Sequence, residues 1–216
     1  MKQFKCRASQ VGKLLTNDRS GKAMGETAKS YIKEWYVSEL TGKQKEIKSK
    51  YLDRGNAMED IAIARVAKYY NCELEKNEIQ LENEYFTGTF DARTIDLVID
   101  TKVPFDAFTF PFFETKIDSD YYAQLQIYMN LTGLRKASLC YCLENGSEEQ
   151  IQKLLWGIED PTIHDWEEAE KQLSYDHLDD KLRIKVFEFD YDETFIEKAI
   201  QRVIDARDYL ETIKIN

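Results

Sequence analysis

The sequence predicts an α/β protein with a mixed central β-sheet flanked by α-helices. Three observations predict this class. The clearest helical periodicity, residues 56–70, precedes a group of three β-like runs. A second helical stretch, 119–131, separates those runs from an apolar strand, ASLCYCL. A further strand, RIKVFEF, leads into a closing amphipathic helix at about 192–212. Helix, three strands, helix, two strands and a helix together suit a sheet covered on both faces.

In chain order, residues 26–40 place Ala28, Tyr31, Ile32, Trp35 and Leu40 near helical spacing, and Thr41-Gly42 ends the run. Residues 56–70 follow, with Asn56 as the expected N-cap. The β-like runs are 72–82, with Leu74, Ile79 and Leu81; then 84–91; then 94–102, with Ile95, Leu97 and Ile99 on one face. Short turns between them suggest a meander or hairpin. After the irregular VPFDAFTFPFFE, the helix at 119–131 closes at Thr132-Gly133. Residues 144–182 carry 12 acidic and 3 basic side chains, which predicts a partly helical, solvated insertion.

The chain has 216 residues, 43% of them hydrophobic and 12% aromatic, enough for one sizeable domain spanning 1–216. No repeat, linker, leader-like apolar run or ~18-residue apolar span interrupts it, so a soluble, cytoplasmic protein is expected. Its net charge of -10 is unevenly placed: residues 1–55 hold 13 Lys/Arg and 6 Asp/Glu, and the remainder holds 17 and 34. A basic, helical N-terminal segment on an acidic body permits phosphate contact, because local charge governs it. The lysines at 43, 45, 48 and 50 equally suit a solvated loop. Cysteines 6, 72, 140 and 142 match no common zinc, cluster or disulfide spacing, and Cys140 and Cys142 would share one strand face as core residues. With only His164 and His177, a metal would be held by oxygen, which suits Mg²⁺ or Mn²⁺.

One cluster suits chemistry, although Asp100 and Lys102 taken alone also read as an ordinary strand-end ion pair. Asp100 and Lys102, two apart near a strand end, point to the same side. Asp91, at the end of the preceding run, is brought near Asp100 by a hairpin. Converging carboxylates repel unless a cation lies between them. Two carboxylates, a divalent ion and a lysine form the set that phosphodiester hydrolysis needs. The lysine serves as electrostatic stabiliser in preference to base. A second such pattern, Glu114-Thr115-Lys116, lies in a loop.

These residues stand within a longer pattern: Arg54-Gly55-Asn56-Ala57-Met58-Glu59-Asp60-Ile61-Ala62, Gly88-Thr89-Phe90-Asp91, Asp100-Thr101-Lys102 and Tyr121-Tyr122-Ala123-Gln124-Leu125-Gln126. In order and type it resembles the PD-(D/E)XK nucleases, in particular lambda-type and RecB-like phage exonucleases. The resemblance covers roughly residues 5–143. It implies a restriction-endonuclease-like core with Glu59, Asp91, Asp100, Lys102 and Gln124 as catalytic residues. Asp91, Asp100, the Thr101 carbonyl and Glu59 would be the metal shell. It further implies DNA contacts from Arg7, Ser9, Arg54 and Tyr121, and 5′-to-3′ exonuclease action on double-stranded DNA ends. Phage-type recombination beside a single-strand annealing protein, and a ring-shaped trimer, belong to the same implication. The loop after Lys102 lacks the arginine that the lambda-type pattern places there, which leaves end selection open. A structure-specific endonuclease, or a silent module binding DNA ends or a partner, are the alternatives.

Overall fold

The computed structural model describes residues 2–21, 23–45 and 50–213, with backbone only at 50–53. The chain begins with β1 (Cys6–Arg7), a 3-10 turn (Ala8–Gln10), α1 (Val11–Leu14), α2 (Glu26–Thr41) and α3 (Lys50–Tyr70). It continues with β2 (Leu81–Glu82), β3 (Phe86–Gly88), β4 (Ala92–Arg93), β5 (Leu97–Lys102) and α4 (Ser119–Thr132). Then come β6 (Lys136–Cys142), α5 (Glu148–Leu154), α6 (Ile163–Gln172), β7 (Ile184–Asp190) and α7 (Glu193–Thr212).

Two mixed sheets result. The larger runs β4-β5-β6-β7, with β5 and β6 parallel and both outer pairs antiparallel. The smaller runs β1-β3-β2, with β1 parallel to β3 and β2 antiparallel to it. Side-chain alternation divides the larger sheet's faces. Val98, Ala137 and Leu139 pack with Ala123 and Ile127 of α4 and Ala199 and Val203 of α7. Ile99, Cys140 and Cys142 pack with Ala62, Ile63 and Val66 of α3. The central strands are thus buried on both sides, the α/β sandwich that the element order predicts. Helix α4 is the core helix, buried without a break from Ala123 to Met129. Gly42 (φ 67°) and Gly133 (φ 76°) close α2 and α4 in the left-handed conformation, as the Thr-Gly pairs predict. Among the described residues, no helix is long and apolar enough to cross a membrane.

Several expectations are corrected. The three β-like runs do not form one meander, because the chain changes sheet between Gly88 and Ala92, where Phe90 plugs the core. In 72–82 only Leu81–Glu82 is strand; Asn77 instead ties this stretch down, donating to Ile79 O and Phe90 O. Ile95 sits in the β4–β5 turn and is 95% exposed, so it is not a core residue. Asn56 caps nothing, since α3 begins at Lys50. The acidic segment is helical as expected, but Glu144 at its start is buried against Arg65 and Arg183 and is not solvated. In the irregular stretch after β5, Phe110 is buried while Phe108 and Phe113 stand in solvent.

Candidate active site

Strand β5 ends at the floor of a cavity of about 810 Å³. Its alternation places Asp100 and Lys102 on the α4 side. Asp100 is 2% exposed. Its Oδ1 accepts a hydrogen bond from Gln124 Nε2 at 3.3 Å, and its Oδ2 lies 2.5 Å from Lys102 Nζ. That second approach is electrostatic: among the described residues, Oδ2 is the buried side-chain oxygen with no hydrogen bond of acceptable geometry. The side chain of Lys102 is a quarter exposed and passes over Tyr121, with Nζ 5.1 Å from the ring centre.

The β4–β5 hairpin does bring Asp91 alongside, since Ala92 pairs with Ile99. Asp91 Oδ2 accepts from the Thr101 amide (2.6 Å) and hydroxyl (2.7 Å), leaving Oδ1 without a hydrogen bond among the described residues. Glu59 reaches the cavity from α3, with Oε2 3.0 Å from Lys76 Nζ. From α4, Tyr121, Gln124 and Tyr128 line the wall, at i, i+3 and i+7 of one helix face.

The charges act on one another. Burial raises the Asp100 pKa; Lys102 opposes this, while Asp91 and Glu59 add to it, and the result is about 6. Burial would lower Lys102, but the charges of Asp100 and Asp91 outweigh it, and its pKa is raised above the ordinary lysine value. Burial also raises Tyr128, with the Asp100 charge adding, so its hydroxyl stays neutral.

A divalent cation fits this donor set. The fit rests on Asp100 Oδ2, buried with an ion-pair contact to Lys102 but no hydrogen bond, on Asp91 Oδ1, which has no hydrogen bond among the described residues, and on the burial that, with the charges of Asp91 and Glu59 adding, keeps Asp100 hard to ionise. The fit is incomplete as the side chains stand. Among the described residues, no three His, Cys, Asp or Glu are close enough to hold one ion, Glu59 being paired with Lys76.

Of the residues singled out in the sequence, Glu59, Asp91, Asp100, Thr101, Lys102, Tyr121 and Gln124 all line the cavity. Arg7, Ser9 and Arg54 do not. Arg7 is exposed and its guanidinium donates to Gln44 at 3.1 Å; Ser9 is exposed beside it. Arg54 is 2% exposed, which corrects its assignment to DNA. Its guanidinium donates to Pro104 O (3.1 Å), Glu144 O (2.8 Å), Asn145 O (3.2 Å) and Gln150, bracing the loop that follows Lys102. Of the basic cluster, Lys43 and Lys45 are exposed and Lys45 pairs with Glu34; the Lys48 and Lys50 side chains lie outside the described residues. Glu114 and Lys116 are exposed loop residues.

Sequence reasoning missed Tyr128, Tyr141 and Lys76. Tyr128 was signalled, since it lies four residues after Gln124 on the same face; nothing in the irregular segment around Lys76 announced it. The two glutamines also separate: Gln126, fully buried, donates to Asp190 O and accepts from Asp192 N, joining α4 to the start of α7.

Comparison with solved structures finds the same fold in known exonucleases. A phage-related exonuclease from Haemophilus somnus 129PT superposes with a TM-score of 0.78, covering 96% of this chain and 94% of that one at 26% identity. The chain has an exonuclease fold. The alkaline exonuclease LHK-Exo of Laribacter hongkongensis shares it, with a TM-score of 0.68 at 19% identity over 96% of this chain and 88% of that one. Its complex with dAMP gives 0.67 at 20% identity over the same shares. No protein-family model and no curated protein matches the sequence.

Proposed function

We propose that the protein is a divalent-metal-dependent DNA exonuclease hydrolysing phosphodiester bonds at the Asp91–Asp100–Lys102 site. The observation that supports this most is the convergence of Glu59, Asp91, Asp100, Lys102 and Gln124 on one cavity, in a chain whose fold is similar to that of a phage-related exonuclease. The dAMP complex of LHK-Exo favours DNA as the substrate class.

Asp91 and Asp100 would hold the cation (Mg²⁺ or Mn²⁺), with the Thr101 carbonyl and Glu59 completing its shell. When bound, such a cation polarises the phosphoryl oxygen and makes water a better nucleophile at neutral pH. Without the cation the charges of Asp100 and Asp91 favour the protonated form of Lys102, which suits neutralising charge growing on the phosphate in preference to acting as a base. Asp91 is oriented by its two bonds from Thr101, and Gln124 by its bonds to Asp100 and Tyr128. Tyr121 offers an aromatic wall beside the lysine, suited to a sugar or base. Action on double-stranded ends, 5′-to-3′ polarity, a ring-shaped trimer and an annealing protein as partner belong to the same proposal.

The test is a time course on linear duplex labelled at one 5′ end. Mononucleotides should be released from that end with Mg²⁺ or Mn²⁺, and nothing with EDTA or with Asp91→Ala. Cutting of a closed circular duplex would instead favour the endonuclease reading. Intact DNA with wild type and metal would favour the binding module.

A further inference from the structure

Glu59 lines the cavity but is engaged by a cation of the chain's own. The Lys76 ammonium lies 3.0 Å from Glu59 Oε2 and 3.2 Å from Asp60 Oδ1. These two carboxylates are neighbours on α3, so about 100° of helix rotation separates their directions. Glu59 faces the cavity; Asp60 does not line it and is exposed. Lys76 therefore bridges a site carboxylate and a solvent-facing one. Among the described residues, no three acidic side chains stand close enough to hold one ion while it does so.

The residue that follows fixes Lys76 in place. The Asn77 backbone amide donates to Asp91 O at 2.7 Å, and the Asn77 side chain donates to Phe90 O at 2.9 Å. The same side chain closes its own segment, donating to Ile79 O at 3.1 Å and accepting from Ile79 N at 3.3 Å. The backbone that delivers Asp91 to the site thus also anchors Lys76 opposite Glu59.

Resting on the nuclease reading, we infer that Lys76 is a positioning residue that holds Glu59 away from Asp91 and Asp100 in the free protein and releases it when a divalent cation binds. The exchange is mild, because Lys76 keeps Asp60 as a partner while Glu59 passes from one cation to another. No proton moves and no covalent bond changes. Lys76 is a resident positive charge on the carboxylate that an incoming cation has to win, and it sets how much cation completes the site.

The test reads Mn²⁺ binding, with no DNA and no turnover. Calorimetric titration of the whole protein gives the affinity of the site whose heat Asp91→Ala abolishes. Lys76→Met should tighten that affinity about threefold, the scale of one partly exposed ion pair. Lys76→Arg keeps the pair and should stay near the wild-type value. Loss of a positive charge favours any nearby cation, so the deciding comparison is a double-mutant cycle with Glu59→Gln. In that background Lys76→Met should have little further effect. An equal gain in both backgrounds, or no gain in the single variant, overturns the role of Lys76 and leaves the nuclease reading standing. Lys76→Gln gives the same comparison if methionine impairs folding. No Asp91-dependent site in either wild type or Lys76→Met would sink the nuclease reading, and this inference with it.

Discussion

Asp100→Asn separates what the site does for activity from what it does to stability. In the folded protein Asp100 has a pKa of about 6 against an ordinary 3.8, mainly because it is buried. The ionised form therefore destabilises the native state by about 3 kcal/mol, taking about 1.4 kcal/mol per pH unit. The sign follows from linkage: the folded state binds the extra proton between pH 3.8 and about 6, so stability falls as pH rises through that window. Above it the full cost is present; below it there is none. Asparagine resembles the protonated acid and keeps an acceptor for Gln124, though its amino group must sit near Lys102. The variant should then be more stable than wild type by about 1–3 kcal/mol at pH 8 in EDTA, and no more stable at pH 4. Urea unfolding at both pH values is the assay. A variant less stable than wild type at pH 8, or a difference independent of pH, would refute the reasoning. The same variant should not hydrolyse DNA.

Three further outcomes are expected. Lys102→Met should lower kcat about 10²–10³-fold, as for loss of one charge-stabilising donor, while binding of duplex in EDTA changes far less. Arg54→Ala should destabilise the fold by at least about 3 kcal/mol in urea unfolding, because four acceptors lose a buried donor, and should leave the salt dependence of DNA binding unaltered. Gly88→Ala should lower the unfolding free energy by about 1–3 kcal/mol, because its Cβ forces the Tyr128 ring to move. It should also reduce kcat more than it weakens DNA binding.

Part of the candidate site, Asp91, Asp100 and Lys102, was legible from short-range geometry, and Glu59, Tyr121 and Gln124 came from the resemblance to a nuclease pattern. Two residues apart on a strand fixes Asp100 and Lys102 to one face, and three apart on a helix fixes Tyr121 and Gln124. What failed depended on burial and sheet membership, which pattern does not encode. Arg54 is a cation beside a motif, but only its environment shows that it faces backbone carbonyls and not solvent. Ile95 continues the apolar alternation of β5 yet falls in a turn closed by Thr94 and Asp96. Residues 72–82 alternate like a strand, but only Leu81–Glu82 is one, and the Asn77 side chain holds the backbone at Ile79 and ties it to Phe90. Gln124 and Gln126 are alike in sequence, and only the helix's two buried faces make one a site residue and the other a structural tie.

Anomalous diffraction from crystals soaked in Mn²⁺ tests the central claim most directly. One strong peak should lie in the cavity, within bonding distance of the Asp91 and Asp100 carboxylates, and disappear in Asp91→Ala. Manganese found only among the acidic side chains of residues 144–182, with that cavity empty, would contradict the account.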